Sequence, residues 1–379
     1  MKLIHLSDLH LGKRVNGFSM LEDQAFILER ILEIIDGEAP EGVLIAGDVY
    51  DRSVPPTEAV RMFDDFLTAL AGRRIPTFVI SGNHDSPERI AFGGRLMDLS
   101  GVHLSPVYEG RVTPLPLRDA FGTVWVYMLP FVRPANVRAA FPEEAIADYT
   151  EALRCAISHM AVDPGERNVL VTHQFVTGAA RCDSEDISVG GTDNVDAGVF
   201  APFDYVALGH IHGPQNVGDR RIRYCGTPLK YSVSERDHVK SVTVVELGEK
   251  GDLKVRTVPL TPLHDLRQIR GTYEELTLRT NYEGTVTEDY LRVILTDEQD
   301  VPDAMARLRT VYPNLMRLEY DNARTRAGET ILPEEEMVRR KTALELFSDF
   351  FEMRNNRPMS REQSEFAGAL FERVKEGEP

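Results

Sequence analysis

Short apolar runs, most of them closed by a polar cluster, set the rhythm of the first half of the chain. Residues 2–6 (KLIHL), 42–46 (GVLIA), 76–80 (PTFVI), 123–129 (TVWVYML), 168–171 (NVLV) and 204–208 (DYVAL) read as strands. Between them, residues 20–36 carry apolar positions at helical spacing. A second helix over 56–70 is entered through Pro55, Pro56 and Thr57, and a third is expected within 145–160. Strands alternating with helices predict an α/β fold. The stretch 176–198 is rich in Gly, Asp and Ser and predicts a long surface loop, of the kind found beside active sites.

Residues 238–246 and 253–260 alternate like a hairpin, with Glu249, Lys250 and Gly251 in its turn. After Pro262 the pattern changes to strand (290–296), helix (301–311) and strand (315–320), a small α/β unit of its own. Beyond Pro333 the chain turns helical and charged, with Leu344, Phe347 and Phe351 on one face. Ser360 and Gln363 predict a capping box for a last helix carrying Phe366, Leu370 and Val374 at i, i+4 and i+8. Domains are therefore expected over 1–262, 263–332 and 333–379.

Composition adds boundaries to this picture. At 379 residues and 42% apolar content the chain can bury a sizeable core. MKLIHLSDLHLGK is broken by His, Ser and Asp and does not read as a signal peptide, and no apolar run approaches a membrane span. Three scattered cysteines without zinc spacing fit a reducing cytoplasm. The net charge of −17 argues against a generally basic nucleic-acid binder but leaves room for a local basic surface.

The polar clusters carry the chemistry. Asp8 and His10 follow the first run, Asp48 the second, Asn83 the third, His173 the run at 168–171, and His210 and His212 the run at 204–208. Loops at the carboxyl ends of central strands are where α/β sheets build sites. Asp8 and His10 are two apart, and so are His210 and His212, which predicts that each pair projects from one side of an extended segment. Asp48 suits a bridging carboxylate, and Asn83 offers a carbonyl oxygen. Gly47, Gly82 and Gly209 each precede a ligand-type residue and predict tight turns there. Mixed imidazole and oxygen ligands suit manganese, iron or zinc better than magnesium or calcium. Two such cations hydrolyse phosphate esters by activating water and clamping the phosphate. His84 is the candidate proton donor to a leaving oxygen, with Asp85 the candidate carboxylate for orienting an imidazole. Among the other histidines, His5 lies inside a strand and reads as core, while His103, His159, His238 and His264 lack the motif context. No phosphate-binding loop of the GxxxxGK[ST] type occurs, so any ATP dependence must come from a partner.

D-x-H, GD, GNHD, H and GHxH, in this order, resemble the calcineurin-like metallophosphoesterases. AGDVYDR, SGNHDSPERIAFG, ALGHIH and YCGTPLKYSVSE are similar to the SbcD-type bacterial nuclease family within them. The resemblance implies a four-layer α-β-β-α sandwich, a small α/β cap that helps select DNA, and C-terminal helices that bind an SbcC-type SMC-like ATPase. It implies two divalent metal ions, most often Mn2+. One would be held by Asp8, His10, Asp48 and His212, the other by Asp48, Asn83, His173 and His210, with His84 catalytic. Archaeal and eukaryotic relatives carry a second histidine where this chain has Asp51. The implied activity is DNA cleavage at ends and hairpins, 3′ to 5′ on duplex and endonucleolytic on single strands, by a homodimer within a heterotetramer at the bacterial nucleoid. Arg52, Arg89, Arg95, Arg133, Arg138 and Lys230 lie near the motif loops as candidate phosphate contacts. A small-molecule phosphodiesterase of the same fold is the alternative. Against it stand the added cap and the helical tail. Asp85, where protein phosphatases usually carry Glu, argues against a phosphatase.

Overall fold

The computed structural model describes residues 1–185, 193–323, 325, 347, 348, 351 and 359–375. Two six-stranded sheets lie face to face. The first runs in the order Leu253–Pro259, Ser241–Leu247, Lys2–Leu6, Gly42–Ala46, Thr77–Ile80 and Val102–Leu104. The second runs Gln215–Val217, Asp219–Tyr224, Tyr205–Gly209, Arg167–His173, Gly122–Leu129 and Leu115–Asp119. The central strands of each sheet are parallel, so their carboxyl ends point the same way.

The strand Gly42–Ala46 is buried at every position. One face, with Leu44 and Ala46, meets Val126, Val169, Val171 and Ala207 of the second sheet. The other face, with Val43 and Ile45, packs against the helices Leu21–Glu38 and Thr57–Gly72 through Ile27, Ile31, Phe63 and Leu67. The second sheet is covered in turn by Pro134–Ala140 and Tyr149–Ser158, through Val137, Leu153 and Ile157. Helix, sheet, sheet and helix make the four-layer α-β-β-α sandwich that the family resemblance implies. Its paired apolar faces explain why the central strands read as unbroken apolar runs.

A third sheet orders Leu266–Gly271, Tyr290–Leu295 and Leu315–Tyr320, with the short helix Ala304–Leu308 in place of the longer one expected over 301–311. The Tyr290 hydroxyl donates to Asp23 Oδ2 at 2.7 Å, tying this sheet to the first helix. The chain divides into two compact units, Met1–Ile294 with Asp303–Glu319, and Leu295–Pro302 with Tyr320–Pro379. In the second, the helix Arg361–Lys375 begins on the expected capping box: Gln363 N donates to Ser360 Oγ at 3.2 Å, and Ser360 N to Gln363 Oε1 at 2.9 Å. Phe366 and Leu370 are exposed, while Leu344 and the side chain of Val374 lie outside the described residues.

Candidate metal centre

All seven ligand-type side chains converge at the carboxyl ends of the two sheets. Asp8, His10, Asp48, His173, His210 and His212 are buried, and Asn83 is half-buried. His173 Nε2 lies 2.9 Å from Asn83 Oδ1 and 3.4 Å from Asp48 Oδ2. His210 Nδ1 meets the same Asn83 oxygen at 3.0 Å. His10 Nε2 is 3.7 Å from Asp48 Oδ2, so that oxygen sits between the two histidine groups. Single ligand atoms of Asp8, His10 and His212 lie within 4.8 Å of one another, as do those of Asp8, Asp48 and His173 and those of His10, Asp48 and His84.

The backbone here departs from the extended segment expected for Asp8 and His10. Both adopt left-handed φ, 52° and 44°, as do Asp48 at 48° and His210 at 103°. Such conformations cost free energy in L-residues and cluster at functional sites. Cross-links between loops hold them: Asp8 N donates to Gly47 O at 3.0 Å, His10 N to Asp48 O at 2.9 Å, and His210 N to Asp8 Oδ1 at 2.9 Å. Of the three glycines, Gly47 does take a left-handed turn, with φ 84°. Gly82 and Gly209 serve a different need, close approach. A Cβ on Gly82 would sit 2.1 Å from Asp48 Oδ1, and one on Gly209 1.9 Å from Ala46 O.

The cluster fits divalent cations. His10 Nε2 and His212 Nε2 face each other at 3.1 Å, and among the described residues Asp8 Oδ2 and His10 Nδ1 make no hydrogen bond. Burial pushes the Asp8 carboxyl up to about 6, with Asp48 adding to the rise against the pull of His173. Burial, then the charge of His173, pushes His210 down to about 3. Burial also opposes a charged His173, yet Asp48 raises it to about 9. Two buried carboxylates beside crowded imidazole nitrogens are short of positive charge, which cations supply.

His84 stands at the edge of this group, more exposed than the buried six, with Nε2 3.9 Å from Asp48 Oδ2. Its Nδ1 lies 3.1 Å from the Asp51 carbonyl, an acceptor, so Nδ1 carries the proton and donates. Asp51 thus holds His84 through its backbone, while its side chain pairs with Lys13 at 2.6 Å. Asp85 does not orient an imidazole. Its carboxylate takes the amides of Val49, Tyr50 and Gly82, at 3.1, 2.9 and 2.9 Å, and so braces the Asp48 loop. Backbone donors reach a carboxylate more readily here because Asp85 faces the turn that Asp48 occupies.

Of the histidines without motif context, His238 lies beside Gly213, the residue after His212, and the others lie elsewhere. His5 is fully buried against the Tyr205 hydroxyl at 2.8 Å, His103 pairs with Asp98, His159 stacks on Phe141, and His264 pairs with Asp23. Of the candidate phosphate contacts, Arg52, Arg89, Arg95, Arg133 and Arg138 are exposed and Lys230 is half-buried. Arg138 and Lys230 also donate to the carbonyls of Ile146 and Arg236. Sequence reading passed over the residues that brace the ligands from behind. Gln24 Nε2 donates to His10 O at 2.8 Å and the Tyr231 hydroxyl to Leu9 O at 2.7 Å. Ser184, Glu185, Glu235 and Lys240 surround His212. YSVSE lay in a matched motif, but nothing in its spacing marked Glu235.

A family model described as calcineurin-like phosphoesterase matches residues 1–214. A second, described as type 5 capsule protein repressor C-terminal domain, matches residues 262–355. The chain is 34% identical over 322 residues to the SbcD subunit of the SbcCD nuclease from Staphylococcus saprophyticus, covering 84% of each chain. It is 33% identical over 322 residues to the corresponding SbcCD nuclease subunit from Staphylococcus epidermidis, covering 84% of this chain and 85% of that one. Fold, site and relatives define a calcineurin-like phosphoesterase, a hydrolase of phosphoester bonds. Within that class the chain belongs to the SbcD family and is a metal-dependent nuclease.

Proposed function

We propose that this nuclease cuts DNA at ends and hairpins, 3′ to 5′ on duplex and endonucleolytically on single strands. We assign Asp8, His10, Asp48 and His212 to one divalent cation and Asp48, Asn83, His173 and His210 to a second, with Asp48 between them. Manganese is the proposed metal. When bound, such cations supply Lewis acidity to the phosphodiester and hydroxide at neutral pH. The observation that carries this reading is the buried pair of imidazole nitrogens, His10 Nε2 and His212 Nε2, facing each other at 3.1 Å beside Asp48.

His84 is the catalytic residue in this reading. With its proton fixed on Nδ1 by the Asp51 carbonyl, Nε2 is the atom that exchanges a proton with the phosphoryl or leaving oxygen. Its partial exposure leaves it within reach of a substrate that the buried ligands do not meet. Residues 1–262 form the nuclease domain in this proposal, 263–332 a DNA cap, and 333–379 helices that seat an SbcC-type SMC-like ATPase. The working form is a homodimer within a heterotetramer, in the bacterial cytoplasm at the nucleoid. Among the described residues no helix is long and apolar enough to cross a membrane.

A labelled hairpin duplex incubated with manganese tests the assignment, beside bis-p-nitrophenyl phosphate. Wild type is expected to cut the hairpin. His84→Ala is expected to lose roughly 100-fold or more of that rate, the usual scale of a general acid, while binding manganese normally. A mutant that cuts DNA as wild type does would sink the role of His84. Turnover of the small ester without any DNA cleavage, even with the ATPase present, would favour the small-molecule phosphodiesterase.

A further inference from the structure

Behind His212, on the side away from the cluster, two stretches distant in sequence meet, residues 184–185 and 235–240. The loop after the strand Arg167–His173 brings Ser184 and Glu185, the short turn Val233–Glu235 brings Glu235, and Lys240 enters from the start of the strand Ser241–Leu247. We infer that Ser184 and Glu235 are positioning residues that fix the proton of His212 on Nδ1, leaving its Nε2 lone pair directed into the metal centre. This rests on the reading of His212 as a metal ligand.

The argument is one of donors and acceptors. Glu235 is fully buried, and the Lys240 ammonium lies 2.5 Å from its Oε2. Lys240 also donates to Thr227 Oγ1 at 2.6 Å and His212 O at 2.9 Å, so its three protons are all placed. Glu235 beside that ammonium is a carboxylate and only accepts. Ser184 Oγ is 2.5 Å from Glu235 Oε1 and so must donate to it. That uses its single proton. Towards His212 Nδ1, at 2.8 Å, the Ser184 oxygen can then only accept. The imidazole therefore carries its proton on Nδ1, and Nε2 is bare.

The same loop holds the His212 backbone. Glu185 Oε1 accepts from His212 N at 2.7 Å, and its other oxygen takes Cys182 N at 3.0 Å. Carboxylates or backbone carbonyls usually hold the far nitrogen of a metal-bound histidine, and losing such a partner weakens metal binding by about 10- to 100-fold. Here a serine hydroxyl stands between the imidazole and the carboxylate. Ser184 is on a loop and Glu235 in the core, so the two can be separated by mutation.

Manganese titrated calorimetrically into metal-free wild type, Ser184→Ala, Ser184→Thr and His212→Ala tests the inference, with circular dichroism to show that each is folded. Ser184→Ala is expected to bind manganese about 10- to 100-fold more weakly and Ser184→Thr, which keeps the hydroxyl, to restore most of the affinity. Unchanged affinity in Ser184→Ala with binding lost in His212→Ala would overturn the positioning role while keeping the ligand. Unchanged affinity in both would overturn the ligand reading itself. Weakening that threonine does not restore would assign Ser184 to packing instead of proton placement.

Discussion

A single hydrogen atom where another residue has a methyl group keeps the metal centre open. Gly209 pairs with His173 across the second sheet, and a Cβ there would lie 1.9 Å from Ala46 O and 2.6 Å from His173 Nδ1. The Ala46 carbonyl already accepts from His173 Nδ1 at 2.9 Å, which fixes the proton of that imidazole and turns Nε2 toward Asn83 and Asp48. Gly209→Ala must push the two sheets apart at the point where they deliver ligands. Overpacking of this kind costs about 1–3 kcal/mol. The variant is expected to unfold at lower urea concentration than wild type and to bind manganese more weakly, since the displaced group holds His173. Equal urea midpoints and equal affinities would show that the strand ends can shift without loss.

At the scale of elements, the central strands were readable because both faces are buried, whereas the outer strands of the second sheet were not. Leu115–Asp119 and Asp219–Tyr224 expose much of their length, and no apolar run marks them. Their attachment depends on particular side chains. Arg167, at the start of a central strand, is buried and donates to both Asp119 oxygens, at 3.0 and 2.5 Å. This bond, against the opposing effect of burial, holds the Asp119 carboxyl well below its ordinary pKa. A depressed folded-state value means that the contribution to stability is present above the unfolded pKa of about 3.9 and is lost as pH falls through the folded value. Asp119→Asn is expected to cost about 3 kcal/mol at pH 7, the scale of a buried pair broken on one side. The gap between variant and wild type in urea midpoints should narrow below pH 4. A gap that stays constant down to pH 2 would mean that the pair contributes nothing through its charge.

For the whole molecule, the proposed function divides the labour between a nuclease core and the chain beyond residue 332. Exposed Phe366 and Leu370 on the helix Arg361–Lys375 leave an apolar stripe available to a partner. Deleting residues 333–379 is expected to leave manganese-dependent cleavage of a hairpin within a few-fold of wild type while abolishing capture of the SbcC-type ATPase in a pull-down. Retained capture would move the partner's seat to the core. The formal charge of −17 belongs to this scale too. On the proposed function it leaves phosphate contacts to local groups such as Arg133, exposed beside Phe131 at the rim of the site, and to the cations themselves.

What the sequence alone determined is the kind of chemistry and its place in the fold. Apolar runs of strand length mark the central strands, and a ligand-type residue behind all of them but the run at 123–129 marks the carboxyl edge, because burial pattern and chain order are local properties. It also determined the last helix start, through a capping box only four residues long. The tertiary structure decided how those residues meet. His10 and His212 are 202 positions apart, and no local pattern reports that their Nε2 atoms face each other. Gly82 and Gly209 read as turn formers in one dimension but are spacing elements in three, since what excludes a Cβ is another strand's backbone or side chain. Asp85 braces amides instead of an imidazole, and Ser184 with Glu235 sets a tautomer, for the same reason. A hydrogen bond depends on distances of a few ångströms between groups that only folding brings together.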